Sequence, residues 1–267
     1  MKKILVPTDF TQAASQAISQ ALALARLSGA SLTLLHVLDN LAPDITAKLK
    51  GQAQEIARAS GIPCHGVTVV GPVLDKITEA LTDEEFDMAV IGTHGAQGIR
   101  QKWFGADIAK LVARIPVPVL VVQENSPVIS PFRKILIPVG SHEGFGSMVE
   151  SAVLFAALCP GMEVYFYSIH KPGFEWPEAM HENIREATRV FEENGIRLVR
   201  IREDQEDSSH GFARQTVRYA HSAEVDAIWM MSVASEEFYY MSKVYKETIL
   251  LNEYAIPVMC VGGVPEM

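Results

Sequence analysis

Lys2-Lys3-Ile4-Leu5-Val6-Pro7 returns as Arg133-Lys134-Ile135-Leu136-Ile137-Pro138. Further along, Asp87-Met88-Ala89-Val90-Ile91 is echoed by Asp226-Ala227-Ile228-Trp229-Met230. Ile115-Pro116-Val117-Pro118-Val119-Leu120-Val121-Val122 is echoed by Ala255-Ile256-Pro257-Val258-Met259-Cys260-Val261. The matches keep their order at separations of 131 to 139 residues, which a duplicated unit explains better than chance. The pattern predicts two domains, residues 1–124 and 133–267. The seam from Gln123 to Phe132 holds Asn125-Ser126-Pro127 and Ser130-Pro131, turn-forming residues that read as a short linker.

Within the first unit, short apolar runs alternate with stretches of helical period. Strands are predicted at Ile4–Pro7, Ser31–Val37, Cys64–Val70, Met88–Ile91 and Val117–Val122. Between them, Thr11 caps a helix with apolar Ala14, Ile18, Leu22 and Ala25, and Gly29 ends it. Further helices are predicted at 45–60, stopped by Gly61, at 73–81 and at 108–114. This β-α alternation with fully apolar strands predicts an α/β fold: two tandem open parallel five-stranded sheets with helices on both faces. Ligands of such sheets sit at the carboxyl ends of the strands, near the switch in strand order, so Asp9, Val37 and Gly92 are placed to matter.

Composition narrows the function classes. The chain has 267 residues, 48% of them apolar, and no apolar run reaches the length needed to span a bilayer. No secretory leader is read at Met1–Pro7, so a cytoplasmic protein is expected. Cys64, Cys159 and Cys260 are odd in number and far apart, which argues for buried bystander thiols rather than disulfides. A net charge of −9 argues against nucleic acid. Residues 1–132 carry 11 Lys+Arg against 12 Asp+Glu, and residues 133–267 carry 12 against 20, so an anionic ligand meets less repulsion in the first half.

The most informative stretch is Gly92-Thr93-His94-Gly95-Ala96-Gln97-Gly98-Ile99-Arg100-Gln101-Lys102-Trp103-Phe104-Gly105-Ala106-Asp107, between a buried strand and a helix. Glycines let a backbone approach a ligand closely, and the N–H groups and dipole of the following helix favour phosphate. Arg100 and Lys102 add positive charge, and a Walker-type lysine motif is absent. The plain alternative is a tight turn between strand and helix. Thr8 and Thr93 read as turn hydroxyls in the absence of a nucleotide, Asp9 as a helix cap or a residue that bonds the loop, and His94 as a loop residue.

Gly92, Gly95 and Gly105 resemble the Gly-x2-Gly-x9-Gly-(Ser/Thr) signature of ATP-binding universal stress proteins. Pro7-Thr8-Asp9 resembles that family's first-strand segment, Val37 its adenine-side apolar contact, and Pro118–Val122 its last strand. The resemblance implies a stress-response module that binds ATP or another adenine nucleotide, alone or with Mg2+. It assigns Pro7, Thr8, Asp9, Val37, Gly92, Thr93, His94, Gly95, Arg100, Gly105 and Ala106 to the site. Ala106 departs from the family, because it lacks the hydroxyl that follows the last glycine. The resemblance also implies pairing of last strands, here Val117–Val122 with Val258–Val261 as an intramolecular pseudo-dimer, or a homodimer. An unidentified protein partner is implied as well.

The second unit keeps the strands and drops the chemistry. Gly140 stands at the place of Asp9, and Met230-Met231-Ser232-Val233-Ala234-Ser235-Glu236-Glu237-Phe238-Tyr239-Tyr240 replaces the glycine loop. No nucleotide is expected there. Phe238, Tyr239, Tyr240, Met241 and Tyr245 read as an apolar pocket, a contact surface or core. Two other functions compete: a nucleotide-free interaction scaffold, and a slow hydrolase with His94 as its base. No carboxylate pair or Ser/His/Asp set accompanies the loop, so an enzyme is not the favoured reading.

Overall fold

In the computed structural model, residues 1–38, 45–83, 85–94, 108–173, 175–204, 211–232 and 243–262 are described. The first half runs β1 (Lys3–Pro7), α1 (Gln12–Ser28), β2 (Ser31–Leu38), α2 (Thr46–Ser60), β3 (Cys64–Val70), α3 (Val73–Asp83), β4 (Met88–Thr93), α4 (Ile108–Arg114), β5 (Val119–Gln123). The second repeats the order as β6 (Lys134–Pro138), α5 (Phe145–Leu158), β7 (Glu163–His170), α6 (Glu178–Glu193), β8 (Arg197–Asp204), α7 (Gly211–Ser222), β9 (Ala227–Met231), α8 (Lys243–Leu250), β10 (Val258–Val261). Thr11 Oγ1 accepts from Ala14 N–H at the start of α1, and Gly29 and Gly61, both at φ 73°, end α1 and α2 in the left-handed conformation that a side chain disfavours.

The strands form one sheet in the order β3-β2-β1-β4-β5-β10-β9-β6-β7-β8. Each half contributes a five-stranded parallel sheet, and the halves join through a single antiparallel pair, with Val258 opposite Val121, Met259 opposite Leu120 and Cys260 opposite Val119. Pairing of the two last strands covers what would be an apolar edge on each half. Side chains alternate across the pleat into two cores. On one face Ile4, Val6, Val90, Leu120, Ile135, Trp229 and Met259 pack with α1, α2, α5 and α6. On the other, Leu5, Ala89, Ile91, Val121, Leu136, Ile228 and Cys260 pack with α3, α4, α7 and α8. The three cysteines are free and buried. Among the described residues, no helix is long and apolar enough to cross a membrane.

The repeat extends to its hydrogen bonds. Asp87 accepts from the N–H groups of Lys2 and Lys3 at 2.6 and 2.8 Å, and Asp226 accepts from those of Arg133 and Lys134 at 2.5 and 2.9 Å. Each aspartate therefore ties the entry of its half's first strand to the strand beside it. Burial works against the Asp87 charge, but the two N–H donors and the Lys2 ammonium outweigh it and hold its carboxyl below the usual range.

The seam is a bolted strap rather than a loose linker. Gln20, fully buried on α1, donates to Ile129 O at 2.8 Å and accepts from Ile129 N–H at 2.9 Å. Ser126 Oγ donates to Ala255 O at 2.7 Å, Gln123 Nε2 donates to Asn252 O at 2.8 Å, and Phe132 is buried in the core.

Candidate functional site

Strand order reverses between β1 and β4. The chain leaves β1 for β2 and β3 on one side, then crosses to β4 and β5 on the other. Loops diverge at such a point and leave a crevice above the strand ends. The registers Pro7–Leu35 and Leu5–Ala89, carried past the end of β1, bring Asp9 level with Val37 on β2 and with Thr93 on β4. By the alternation of Leu5, Leu35, Ala89 and Ile91, Val37 and Thr93 belong to the face that carries α3 and α4, and Asp9 lies in the loop two residues past the end of β1. Three residues far apart in sequence thus lie at or just past the carboxyl ends of neighbouring strands.

Their surroundings differ. Val37 is 2% exposed and packs within the core below the strand ends. Asp9 is half-buried, and its Oδ1 accepts from Thr11 N–H at 3.0 Å and from Thr11 Oγ1 at 2.5 Å. Asp9 thus bonds the loop before α1 through one carboxylate oxygen, while Thr11 caps the helix. Pro7 is buried at the end of β1. Thr8 is buried too, donates its N–H to Leu35 O at 2.8 Å, and offers its own carbonyl to His36 Nδ1 at 2.6 Å. Both fix where the backbone turns toward Asp9. Phe10 follows at φ 63°, its ring 5.3 Å from that of His36 and beneath the Lys48 ammonium.

Gly92 has a structural reason that its sequence motif does not disclose. A Cβ built on it would lie 2.1 Å from Ala13 O and 2.4 Å from Ala13 C, inside the first turn of α1. The glycine lets α1 approach β4, with Ala13, Ala14, Ala17 and Ala21 buried along the contact. The second half solves the same contact in reverse. Met231 takes the place of Gly92, Gly144 takes the place of Ala13, and a Cβ on Gly144 would meet Met231 Cε at 3.3 Å.

Thr93 Oγ1 is one of several buried side-chain atoms left without a partner. The residue is 2% exposed, and the hydroxyl has no hydrogen-bond partner. A buried polar group left unpaired costs roughly 1–3 kcal/mol, which a ligand atom would recover. Beside it, His94 Nδ1 lies 3.1 Å from Glu124 Oε2. An ionised carboxylate only accepts, so His94 Nδ1 is the donor in this contact. Sequence reasoning missed Glu124, although the parallel register Thr93–Gln123, one residue on, places it opposite His94.

Gly95, Arg100, Gly105 and Ala106, together with Lys102, Trp103, Phe104 and Asp107, lie outside the described residues, as do Phe238, Tyr239, Tyr240 and Met241. Tyr245, by contrast, is buried against Val217, Ile249 and their neighbours, so it belongs to the core. Among the described residues, no group of three His, Cys, Asp or Glu side chains is placed to hold a metal ion.

Residues 1–123 match the model of the universal stress protein family. A universal stress protein of Methanocaldococcus jannaschii is 24% identical over 156 residues, 47% of this chain and 96% of its own length. One from Thermus aquaticus is 29% identical over 136 residues, 46% of this chain and 98% of its own. The crystal structure of a universal stress protein from Archaeoglobus fulgidus covers 98% of both chains at a TM-score of 0.72 and 16% identity, a likeness of fold along the whole length.

Proposed function

We propose, from the premise that the chain belongs to the universal stress protein family through residues 1–123, that its first half binds an adenine nucleotide and its second half does not. The observation that carries this reading is the unpartnered, buried Thr93 hydroxyl at the level of Asp9 and Val37. The residues present fit such a ligand. Val37 supports the base from below, and the second carboxylate oxygen of Asp9 takes N–H or O–H donors of the adenosine part. Thr93 donates to a phosphate oxygen, and the family resemblance adds Gly95, Arg100 and Gly105, which lie outside the described residues. Ala106 supplies no hydroxyl to a phosphate. Magnesium, where it accompanies the nucleotide, is carried mainly by the phosphates, as is usual for this cation.

The same reading treats 1–124 and 133–267 as separate functional units. In the second, Gly140 takes the place of Asp9, so that position offers no carboxylate. Native mass spectrometry of the purified chain tests the proposal. One adenine nucleotide per chain, absent from Asp9→Ala, is expected; a chain that stays bare at millimolar ATP would leave the scaffold reading in its place.

A further inference from the structure

The second half has its own cluster at the matching switch point between β6 and β9. The register Leu136–Ile228, carried past the strand ends, brings Gly140 level with Ser232. Asn183 on α6 donates to the carbonyls of Gly140 and His142 at 2.9 and 3.1 Å and fixes the loop that follows β6. His142 is 5% exposed, and its Nδ1 has no hydrogen-bond partner. Ser232 is fully buried, its N–H donates to Val261 O at 2.8 Å, and its hydroxyl is likewise unpartnered. Lys246, 6% exposed on α8, donates from Nζ to Ser232 O.

The charge balance of this cluster is incomplete. Burial pushes the Lys246 ammonium down only to about 8, so it is charged at neutral pH. A buried cation is costly unless an anion meets it. Among the described residues, no carboxylate lies within ion-pair distance of Lys246. Burial holds the neighbouring Cys260 thiol up at about 12, which keeps it neutral. His142, held down to about 4 first by burial and then by the Lys246 charge, is neutral as well. The chain supplies a buried positive charge, a free hydroxyl donor and a free imidazole nitrogen, and no counter-charge among its described groups.

We propose that Lys246, Ser232 and His142 form a binding site for a small oxyanion, a phosphate or carboxylate group, in the half of the chain that holds no nucleotide. The oxyanion pairs with the Lys246 ammonium and accepts from Ser232 Oγ, and His142 Nδ1–H supplies a third donor. This site is separate from the crevice of Asp9 and Thr93, and its fate does not depend on whether that crevice binds a nucleotide.

The test is side-chain NMR of the full isotope-labelled chain, titrated with inorganic phosphate and, separately, with acetate. Saturable shifts of the Lys246 Nζ and His142 ring signals, with those of His94 unmoved, are expected at about 10 mM anion or below. A response to phosphate alone identifies a phosphoryl site, and a response to acetate alone a carboxylate site. Calorimetry on Lys246→Met and on Ser232→Ala should show binding weakened about tenfold or more, the effect of losing one charge-assisted hydrogen bond. Ser232→Ala removes a hydroxyl that bonds to nothing and leaves the fold intact, so it serves even where Lys246→Met fails to fold. No saturable shift with either anion, or affinity unchanged in Ser232→Ala, overturns the proposal.

Discussion

Replacing Gly92 by alanine tests whether this glycine is there for packing. The added Cβ would stand 2.1 Å from Ala13 O, 2.4 Å from Ala13 C and 2.9 Å from Ala14 N. Ordinary contact needs roughly 3.5 Å, so the shortfall exceeds 1 Å. All three obstructing atoms are backbone in the first turn of α1, where no side chain can rotate away. The helix must lift from β4 and loosen the contacts of Ala17 and Ala21, both fully buried. Overpacking a core costs about 1–3 kcal/mol, and a backbone collision belongs at the top of that range, near 3 kcal/mol. At roughly 2–4 °C per kcal/mol for a chain of this size, the melting temperature should fall by about 6–12 °C. Gly51 is the matched control: it is exposed, lies within α2, and an added Cβ meets nothing within 4 Å. Gly51→Ala should stabilise by about 1 kcal/mol through helix propensity. Urea titrations and thermal melts followed by circular dichroism measure both. If Gly92→Ala melts no lower than the parent while Gly51→Ala gains as expected, the close approach of α1 to β4 is refuted.

Gln20→Leu leaves Ile129 N–H and C=O without their partners and should cost about 1–3 kcal/mol, with faster hydrogen exchange of the Ile129 amide as the local readout. His142 titrates near 4 in the folded chain against 6.5 in the unfolded one, so the unfolded chain binds more protons between these values and stability falls as the pH drops through that window. The loss should approach about 3 kcal/mol at pH 4 and be absent from His142→Asn, read as the difference between their urea midpoints at pH 7 and pH 4.

The elements that sequence reading located best are those whose signals are local. The strand of Ile4–Pro7, the cap at Thr11 and the stops at Gly29 and Gly61 depend on residues within one turn or one strand, and the structure places each where the pattern puts it. Pairing of Val117–Val122 with Val258–Val261 was implied by the family resemblance and motivated by the cost of two bare apolar edges, and the structure pairs Val119–Val121 with Val258–Cys260. The bolted strap was not legible. Gln20 meets Ile129 across 109 residues, and a glutamine on an alanine-rich helix reads as surface. Gly92 was read as a ligand glycine or part of a tight turn, and its packing role was not legible, because a sequence cannot reveal which backbone comes within 2.1 Å of it. Glu124 and Lys246 escaped notice because only the sheet register and the fold of α8 bring them beside His94 and Ser232.

The central claim is that one adenine nucleotide is held in the first half by a crevice that includes the Thr93 hydroxyl. Calorimetric titration of ATP with magnesium into the intact chain and into Thr93→Val tests it most directly. Valine keeps the shape and removes only a hydroxyl that bonds to nothing in the protein, so the variant should fold as well as the parent. The account predicts binding near one nucleotide per chain, weakened about tenfold in Thr93→Val, as one lost hydrogen bond requires. Two nucleotides per chain, none, or an affinity unchanged by Thr93→Val would contradict it.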